Sequence, residues 1–273
     1  MDNPLVSIIT PLLNTMDYLE KSISSVLSQD YQNIEHLFVD GGSTDGSLEL
    51  VKSYETKFPS RIRVIDAPKS NVPEAWDIGY KNAKGLILGS IGADDTCEPE
   101  TVSKVVDYFT RNKDASVVQG HCDIINTKGS VIMRNIASEF NIIDFINTAY
   151  YVATPSVYYK REVIEEIGGL EISGDDFDVM IRMAQLHKFH PINHLFSKLL
   201  VREGTAFRSK DFAKRKKFYY DTYLVSKKYG GSRFSPLAKR YYIARLIELL
   251  KMERFFPLIR QFYRWVRRIP MEN

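Results

Sequence analysis

The sequence predicts an α/β protein in which a mostly parallel, doubly wound sheet is flanked by helices. Short apolar runs alternate with segments of helical period through the first part of this 273-residue chain, which is typical of strands joined by crossover helices. The first run, Leu5–Thr10, shows no polar alternation, as expected for a strand buried on both faces. The chain is also long enough to bury a proper core.

The elements of the first part follow in order. The loop at Pro11–Asn14 ends the first strand, since proline donates no backbone hydrogen bond, and Ser43 or Thr44 is expected to cap the second helix. The predicted strands are Leu5–Thr10, Ile34–Val39, Arg61–Ile65 and Leu86–Ile91, and the predicted helices are Tyr18–Leu27, Leu48–Phe58, Pro73–Asn82 and Thr101–Phe109.

The alternation then breaks, and the remaining elements are shorter. Predicted strands are Ser116–Val118, His121–Asn126, Ser130–Arg134, Thr154–Tyr159 and Phe196–Val201; predicted helices are Asn141–Asn147, Glu162–Ile167 and a further one after Asp178. From Lys210 the chain reads as helical, basic and aromatic. We therefore expect an α/β domain at 1–207, divided into halves at 1–95 and 96–207, and a helical extension at 208–273.

Composition and charge narrow the class of protein. A hydrophobic content of 44% and a charged content of 26% are ordinary for a soluble globular chain. The two cysteines fit a reducing compartment, and we expect neither a signal peptide nor a membrane span. Residues 208–273 hold 18 Lys and Arg against 5 acids, whereas the rest holds 19 against 29, which favours an anionic partner for the C-terminal part.

Two adjacent acids, Asp94 and Asp95, follow the apolar run Leu86–Ile91. Ligands bind beyond the carboxyl ends of the strands in open parallel sheets. Neighbouring carboxylates repel each other unless a cation lies beside them, and Mg²⁺ or Mn²⁺ commonly joins carboxylate to substrate phosphate. The alternative is a solvated turn in which Asp95 caps a helix beginning near Glu98.

A glycine-rich turn, Asp40–Gly46, follows the second strand. It matches neither the dinucleotide-binding pattern of glycines nor the lysine-bearing phosphate loop, so those two classes are excluded on sequence. A tight turn with a helix cap would explain the glycines. It would not explain Asp40, an acid at a strand end beside two glycines that let a ligand approach the backbone.

Four motifs together resemble the family 2 inverting glycosyltransferases with the GT-A fold, over roughly residues 4–205. They are V-S-I-I-T-P-L-L-N at Val6–Asn14, V-D-G-G-S-T-D-G-S at Val39–Ser47, G-A-D-D at Gly92–Asp95 and G-D-D-F-D at Gly174–Asp178. The resemblance implies a GT-A, Rossmann-like sheet and an enzyme that transfers a sugar from a nucleotide-sugar, with a UDP-sugar favoured. It also implies that residues 1–207 form the catalytic domain, with a nucleotide-sugar-binding half at 1–95 and an acceptor half at 96–207.

The resemblance also implies roles for individual residues. Pro11, Leu12, Asn14 and Asp40 would hold the nucleotide, Asp94 would face the ribose, and Asp95 would coordinate a divalent Mn²⁺ or Mg²⁺ on the diphosphate. Asp176 would be the general base, because an inverting transfer needs a carboxylate to take the proton of the attacking acceptor hydroxyl. Asp175 and Asp178 are expected to contact the acceptor, although Asp178 also fits a first-turn helix acid.

The sequence departs from the family pattern at several positions. Leu13 stands where an aromatic residue is common, Gly41 where a second Asp is common, and Asp175 where Glu is usual. Arg202 lacks the nearby histidine of the family's late Arg-x-His pattern. The family pattern is therefore matched at the arginine, which is expected to contact the diphosphate, but not at the histidine.

By this resemblance, we expect the chain to transfer one sugar at a time, non-processively and with inversion, to a glycan or lipid-linked acceptor. The resemblance also implies a place in bacterial surface polysaccharide or lipid-linked oligosaccharide synthesis. The alternatives are a sugar nucleotidyltransferase and a non-catalytic binder of nucleotide-sugar or nucleic acid; no nucleic-acid partner is expected. We expect a cytoplasmic enzyme, peripheral at the inner face of the plasma membrane through an amphipathic stripe at 255–269. The same stripe would equally fit packing on the catalytic domain or a homodimer contact.

Overall fold

The computed structural model describes residues 3–149, 152–169, 176–202 and 211–250. Its described residues divide into two compact units. The first comprises residues up to 140 and the described part of 151–200, and the second comprises 141–149 and the described residues from 201 onward.

Strands and helices alternate at the start of the first unit, as predicted. The elements are β1 (Val6–Leu12), α1 (Met16–Leu27), β2 (Ile34–Asp40), α2 (Ser47–Lys57), β3 (Ile62–Asp66), α3 (Val72–Asn82) and β4 (Ile87–Ser90). Strands β3, β2, β1 and β4 lie side by side in that order and all run parallel. Every residue of β2 is buried, including the polar residues Glu35 and His36, which agrees with coverage of both faces of the sheet.

The next elements change the sheet from parallel to mixed. They are β5 (Thr96–Cys97), α4 (Thr101–Arg111), β6 (Val117–Asn126), β7 (Val131–Asn135), a 3₁₀ turn (Thr154–Ser156), β8 (Val157–Lys160), α6 (Arg161–Glu166), α7 (Asp176–Leu186) and β9 (Phe189–Val201), with α5 (Ile142–Thr148) in the second unit. The strand order is β3-β2-β1-β4-β8-β6-β9-β5, with β7 beside β6. Strand β8 runs antiparallel to both β4 and β6.

Three predicted boundaries in this region were wrong. The two strands predicted on either side of Gly120 form the single strand β6, where the Phe196 ring packs so close that a Cβ on Gly120 would lie 2.2 Å from it. Residues Thr154–Ser156, predicted to begin a strand, form a 3₁₀ turn instead, and Pro155 lies near the start of this turn. Strand β9 begins at Phe189 and not at Phe196.

The start of α2 also differs from the prediction. Neither Ser43 nor Thr44 caps this helix, whose N-cap is Gly46 at φ +94° with no side-chain hydrogen bond. A glycine at the N-cap costs little compared with a polar cap. Ser43 and Thr44 are instead used in the loop described below.

The core of the first unit lies on the two faces of the sheet. One face is covered by α4, which buries an apolar stripe against β1, β4 and β8, and by α1 and α2, which cover β2 and β3. The β1 residues of both clusters, Val6, Ile8 and Leu12, are an even number of residues apart and so point to the same face. Helix α3 lies on the other face, against Ile9. The stripe residues of α4 recur at helical spacing, Val102, Val105, Val106 and Phe109. Helix α3 packs on β1 and β2 so closely that a Cβ on Gly79 would lie 2.3 Å from Ile9 Cγ2.

The second unit is built from α5 and two longer helices, α8 (Phe212–Lys228) and α9 (Pro236–Leu249). Asp211 and Ser235 cap these two helices with their side chains. Tyr223 stacks on Tyr241 with ring centroids 4.8 Å apart, so aromatic contacts join α8 to α9. The described part of the predicted extension is therefore helical, whereas the predicted stripe at 255–269 lies outside the described residues.

The predicted boundary at residue 207 also falls in a segment outside the described residues and stays a prediction. Along the described ranges, no helix combines the length and the apolar character needed to cross a lipid bilayer.

Candidate functional site

One edge of the sheet gathers the chain segments that follow the parallel strands. The carboxyl ends of β1, β2 and β4 meet at this edge because these strands are parallel. The antiparallel strand β8 contributes its first residues to the same edge, since its Tyr158 pairs with Gly89 near the end of β4. Segments from both halves of the first unit therefore meet where ligands bind in open α/β sheets.

The loops after β1 and β2 are held together by hydrogen bonds. The Asn14 side-chain oxygen accepts from the Thr44 backbone N–H at 2.8 Å, and the Asn14 N–H donates to Ser43 Oγ at 3.1 Å. The Met16 N–H donates to Asp45 Oδ2 at 3.0 Å. Asn14 adopts φ +49°, a left-handed conformation that asparagine tolerates better than most residues. Asn14 thus shapes the loop that was predicted to hold the nucleotide.

The Asp40 side chain is hydrogen-bonded within the glycine-rich turn that follows it. Its carboxylate accepts from the backbone N–H groups of Gly42 and Ser43 at 2.8 and 3.0 Å and from Ser43 Oγ at 2.5 Å. The residue is 0% exposed. Both oxygens are engaged within the turn, which favours a role in shaping the loop; its direct contact with a nucleotide stays a prediction.

Pro11 and Leu12 were predicted to lie in a loop, but both belong to β1. The Leu12 side chain is buried in the core, and its carbonyl accepts from the Gly41 N–H at 2.9 Å. Pro11 is half-buried beside Val39 of the neighbouring strand. The strand extends this far because parallel pairing with β2 continues to Asp40, and any contact of Leu12 with a nucleotide would be through its backbone.

Asp94 and Asp95 lie in a tight turn directly after β4. The Asp95 N–H donates to the Gly92 carbonyl at 3.0 Å, and Asp95 Oδ1 accepts from the Leu200 N–H of β9 at 2.9 Å. Asp95 is 6% exposed, whereas Asp94 is half-buried. The expected alternative, a helix capped by Asp95, does not occur, because β5 follows and α4 begins only at Thr101.

The donor atoms at this turn suit a hard divalent cation. Carboxylate oxygens are the ligands that Mg²⁺ and Mn²⁺ prefer, and such a site commonly uses one or two carboxylates together with substrate phosphates. No group of three or more His, Cys, Asp or Glu side chains in metal-binding proximity occurs among the described residues. Asp94 and Asp95 match the carboxylate part of such a ligand set, and their binding of a metal stays a prediction.

Asp176, the predicted base, is the first residue of α7 and is half-buried. Thr154 Oγ1 donates to Asp176 Oδ2 at 2.9 Å. Thr154 lies in the 3₁₀ turn that leads into β8, so this hydrogen bond brings Asp176 to the edge where β4 ends. An acid at the N-terminus of a helix is also stabilised in its ionised form by the helix dipole.

A pocket opens beside Asp176, and its lining is almost entirely apolar. Its walls come from α3, the 3₁₀ turn, β8 and α7, and its lining residues are Pro73, Trp76, Tyr80, Thr154, Val157, Tyr159, Asp176, Val179, Met180 and Met183. Pockets of this kind, mostly apolar with a few placed polar groups, are typical of small-molecule sites.

Two buried tyrosines of this pocket form a hydrogen-bonded group with Ser90 of β4. The Tyr80 hydroxyl is hydrogen-bonded to Tyr159 and to Ser90, and burial, with a smaller contribution from the negative charge of Asp176, raises the pKa of Tyr80 to about 12. Burial, Tyr80 and Asp176 hold the pKa of Tyr159 well above its ordinary value. Both hydroxyls are therefore neutral near pH 7 and act as hydrogen-bonding groups rather than as acids or bases.

Asp178, a predicted acceptor contact, is 0% exposed. Its Oδ2 accepts from Arg182 Nε at 2.8 Å, and Arg182 Nη1 donates to the carbonyls of Ile167 and Gly169, both at 2.6 Å. The pair therefore ties α7 to the end of α6. This burial favours a structural role for Asp178 over the predicted contact with an acceptor.

The structure does not test the two remaining predicted residues, Asp175 and Arg202. Asp175 lies outside the described residues. Arg202 directly follows β9 and belongs to the second unit, so its diphosphate contact stays a prediction.

Sequence reasoning missed the aromatic wall of the pocket. Helix α3 was predicted, but its face was not assigned to the site. The signal was present in the spacing of Pro73, Trp76 and Tyr80, which lie three and four residues apart and thus share one helical face.

Comparison with known proteins identifies the family. The model of the family "Glycosyl transferase family 2" matches residues 7–168. Chondroitin synthase of Pasteurella multocida (strain Pm70) is 24% identical over 79% of this chain and 22% of its own length. Glycosyltransferase GlyG of Streptococcus pneumoniae is 34% identical over 43% of this chain and 38% of its own length.

Solved structures share the fold at low identity. TarS of Staphylococcus aureus, as residues 1–349 in complex with UDP-GlcNAc, superposes with a TM-score of 0.61 at 16% identity, covering 86% of this chain and 69% of that one. The mannosyltransferase PcManGT of Pyrobaculum calidifontis, with GDP-Man and Mn²⁺, gives 0.60 at 17% identity, covering 90% and 70%. The predicted GT-A architecture is therefore confirmed.

The share of each protein that these matches cover limits what can be said of this chain. This chain spans between about a fifth and a half of the length of the first curated relatives it matches, so their activities as whole proteins do not transfer to it. The family match itself covers more than half of this chain. The chain therefore belongs to the family "Glycosyl transferase family 2".

Proposed function

We propose that this chain is a non-processive, inverting transferase that moves one sugar from a nucleotide-sugar, with a UDP-sugar favoured, to an acceptor hydroxyl. The observation that carries this proposal is the position of Asp176. Its carboxylate borders an apolar pocket at the same sheet edge as Asp94 and Asp95. A base and a diphosphate-binding turn at one edge are what a direct displacement requires.

The chemistry follows from one carboxylate. The acceptor hydroxyl attacks the anomeric carbon of the donor while Asp176 takes its proton; the new C–O bond forms as the bond from that carbon to the diphosphate oxygen breaks. Displacement from the opposite side inverts the configuration, and no enzyme nucleophile is needed. Thr154 fixes one oxygen of Asp176 through its hydrogen bond, which limits the orientations in which the carboxylate can meet the acceptor.

The departing nucleoside diphosphate would lie at the turn after β4. Asp94 and Asp95 would hold a divalent Mn²⁺ or Mg²⁺ there, and such a cation supplies Lewis-acid stabilisation of the leaving group when bound. The joined loops around Asn14 and Asp40 would border the base and ribose. Arg202 remains a proposed contact of the diphosphate.

The biological destination we propose is bacterial surface polysaccharide or lipid-linked oligosaccharide synthesis. Support comes from the names of the relatives, among them the chondroitin synthases of Pasteurella multocida and Escherichia coli and an O-antigen biosynthesis protein of Myxococcus xanthus. A glycan or lipid-linked acceptor and a peripheral position at the inner face of the plasma membrane complete the proposal. The family match favours a transferase over the nucleotidyltransferase and non-catalytic binding alternatives.

The test separates chemistry from binding. Donors are first found by thermal shift with UDP-, GDP- and dTDP-sugars plus Mn²⁺, and turnover is then measured by release of nucleoside diphosphate. Asp176→Asn keeps the shape of the side chain but cannot take the proton, so turnover should fall by roughly 10²–10⁴. Affinity for the nucleoside diphosphate, measured by calorimetry, should change little.

Asp175→Asn is the matched comparison, since it neutralises the adjacent acid in the same segment. Asp176→Asn turning over at the wild-type rate would remove Asp176 from the mechanism. A large loss in Asp175→Asn alone would reassign the base to that residue.

A further inference from the structure

The face of α3 that borders the pocket is aromatic. Pro73, Trp76 and Tyr80 share this face and line the pocket opposite Val179, Met180 and Met183 of α7. The helix is held in place by its capping box, in which Asn71 and Glu74 bond each other's backbone N–H groups, and by its close packing on β1 at Gly79. Trp76 is therefore presented by a rigid element and not by a loop.

The indole nitrogen of Trp76 has no hydrogen-bond partner among the described residues, although it is shielded from solvent. Most buried polar groups in native structures are paired, and an unpaired one carries a desolvation cost. The Tyr80 and Tyr159 hydroxyls of the same pocket are both paired. Trp76 is thus a donor in the pocket wall that the described fold leaves unsatisfied.

We propose that Trp76 binds the acceptor sugar, packing its indole on the apolar face of a pyranose ring and donating its Nε1–H to an oxygen of that ring. The proposal rests on the proposed function of Asp176, because the group that reaches the base is the acceptor hydroxyl. The donor's diphosphate belongs with Asp94 and Asp95 at the turn after β4. An indole suits this role because it offers a large apolar surface together with one polar atom.

The distribution of polar atoms in the pocket fits a sugar better than a wholly apolar ligand. Asp176, the proposed base, and its neighbour Thr154 supply polar atoms on one side of the pocket. Valine, proline and methionine side chains form much of the remaining lining. A pyranose has the same asymmetry, with C–H bonds on its faces and hydroxyls at its edge. Trp76 would therefore set which ring orientation places a hydroxyl against Asp176, and with it the linkage formed.

The chain contains only two tryptophans, Trp76 and Trp265, which makes the proposal directly measurable. In Trp265→Phe, indole fluorescence reports Trp76 alone; in Trp76→Phe, it reports Trp265 and serves as the control. Both proteins are titrated with methyl glycosides of hexoses, N-acetylhexosamines, hexuronates and 6-deoxyhexoses, with UDP and Mn²⁺ present throughout.

We expect at least one methyl glycoside to change the emission of Trp265→Phe saturably, without a matching change in Trp76→Phe. If no glycoside of the panel changes the emission of Trp76, or if adding UDP alone produces the entire change, the proposal is wrong. Neither result depends on whether Trp76→Phe folds, because Trp76 is intact in the reporting protein.

Kinetics then separate binding from a general structural role. With the responding glycoside as acceptor, Trp76→Phe should raise the acceptor KM by roughly 2–10-fold, the effect of one lost hydrogen bond. Hydrolysis of the nucleotide-sugar by water should stay within about twofold, since it uses no acceptor sugar. An equal loss of hydrolysis and transfer would assign Trp76 to the fold instead.

Failure of the proposed function gives a different result. If Asp176→Asn remains fully active while glycosides still change Trp76 emission, the assignment of the base is wrong and the sugar site stands. If Asp176→Asn is inactive and Trp76 does not respond, the base stands and the sugar site is wrong.

Discussion

Replacing Asp178 with alanine should destabilise the first unit by about 3–5 kcal/mol, because it leaves a guanidinium charge in the interior without its counter-ion. Asp178 is 0% exposed and Arg182 is 9% exposed, and their ion pair spans 2.8 Å. A typical domain has a free energy of unfolding of about 5–15 kcal/mol. The loss would therefore be a large fraction of the total.

A second variant tests the cause of that loss. Arg182 also donates to the carbonyls of Ile167 and Gly169, so Arg182→Met alone is destabilising as well. In the double variant Asp178→Ala/Arg182→Met no charge is left behind, and its free energy of unfolding should fall by less than the sum of the two single losses, by about 0.5–3 kcal/mol. This coupling distinguishes an unpaired charge from a simple loss of packing.

The assay is urea unfolding followed by circular dichroism, with thermal melting as a second measurement. The Asp178→Ala melting temperature should fall by about 10 °C. The matched control is Asp107→Ala, which breaks another i,i+4 pair, with Arg111, on the exposed face of α4. That loss should be about 0.5 kcal/mol or less. Equal losses in Asp178→Ala and Asp107→Ala, or strict additivity in the double variant, would refute the reasoning.

Three further predictions test the metal, the acid sensitivity and the C-terminal segment. Asp95→Asn should abolish Mn²⁺-dependent donor binding in calorimetry, and EDTA should stop transfer by the wild type reversibly; full activity in either case would remove the metal from the mechanism. Burial lowers the pKa of His36 from 6.5 to about 3, so the folded protein binds this proton less readily and stability should fall as pH drops from 6.5 toward 3. His36→Gln should show a shallower fall in urea titrations over that range, and an unchanged pH dependence would contradict it. The full chain should co-sediment with anionic vesicles at low salt and far less with neutral ones, whereas a chain ending near Glu253 should lose this binding and still hydrolyse the donor; unfolding of the shortened chain, or no vesicle binding by the intact one, would contradict it.

The parallel half of the sheet could be predicted because its signals are local. Strands such as β1 and β2 are rich in apolar residues, and each is followed by a segment of helical period. Boundary errors there were small: β2 ends at Asp40, where a strand to Val39 was expected. Burial on both faces produces a signal that does not depend on knowing the strand's partners.

The antiparallel half could not be predicted as well, because its strands depend on distant partners. Strand β9 alternates irregularly between buried and exposed residues and includes Pro191 near its start, so neither a two-residue period nor an apolar run marks its beginning. Its place is set instead by pairing, for example of Lys198 with Thr96. Such pairing is a property of the folded sheet and leaves little trace in the local sequence.

The positions of the acidic residues could be predicted more readily than their roles. The sequence placed Asp94 and Asp95 after a strand and Asp176 at the start of a helix, and the structure has these positions. The roles of the three acids stay predictions. The sequence does not show which hydrogen-bond donors each carboxylate meets in the folded chain. In the structure, the Asp40 carboxylate accepts a hydrogen bond from the backbone of its own turn, and the Asp178 carboxylate pairs with the charge of Arg182.

Exposure and hydrogen bonding separate the acids that build the site from those that face it. Asp40 and Asp178 are fully buried, so their charges serve the fold, whereas Asp94 and Asp176 are half-buried at the edge. Asp95 combines both roles, since its Oδ1 anchors Leu200 of β9 while its charge adjoins that of Asp94. For this reason Asp95→Asn tests the proposed cation more sharply than Asp95→Ala does. An amide oxygen can still accept from the Leu200 N–H, and only the charge that the proposed cation would need is removed.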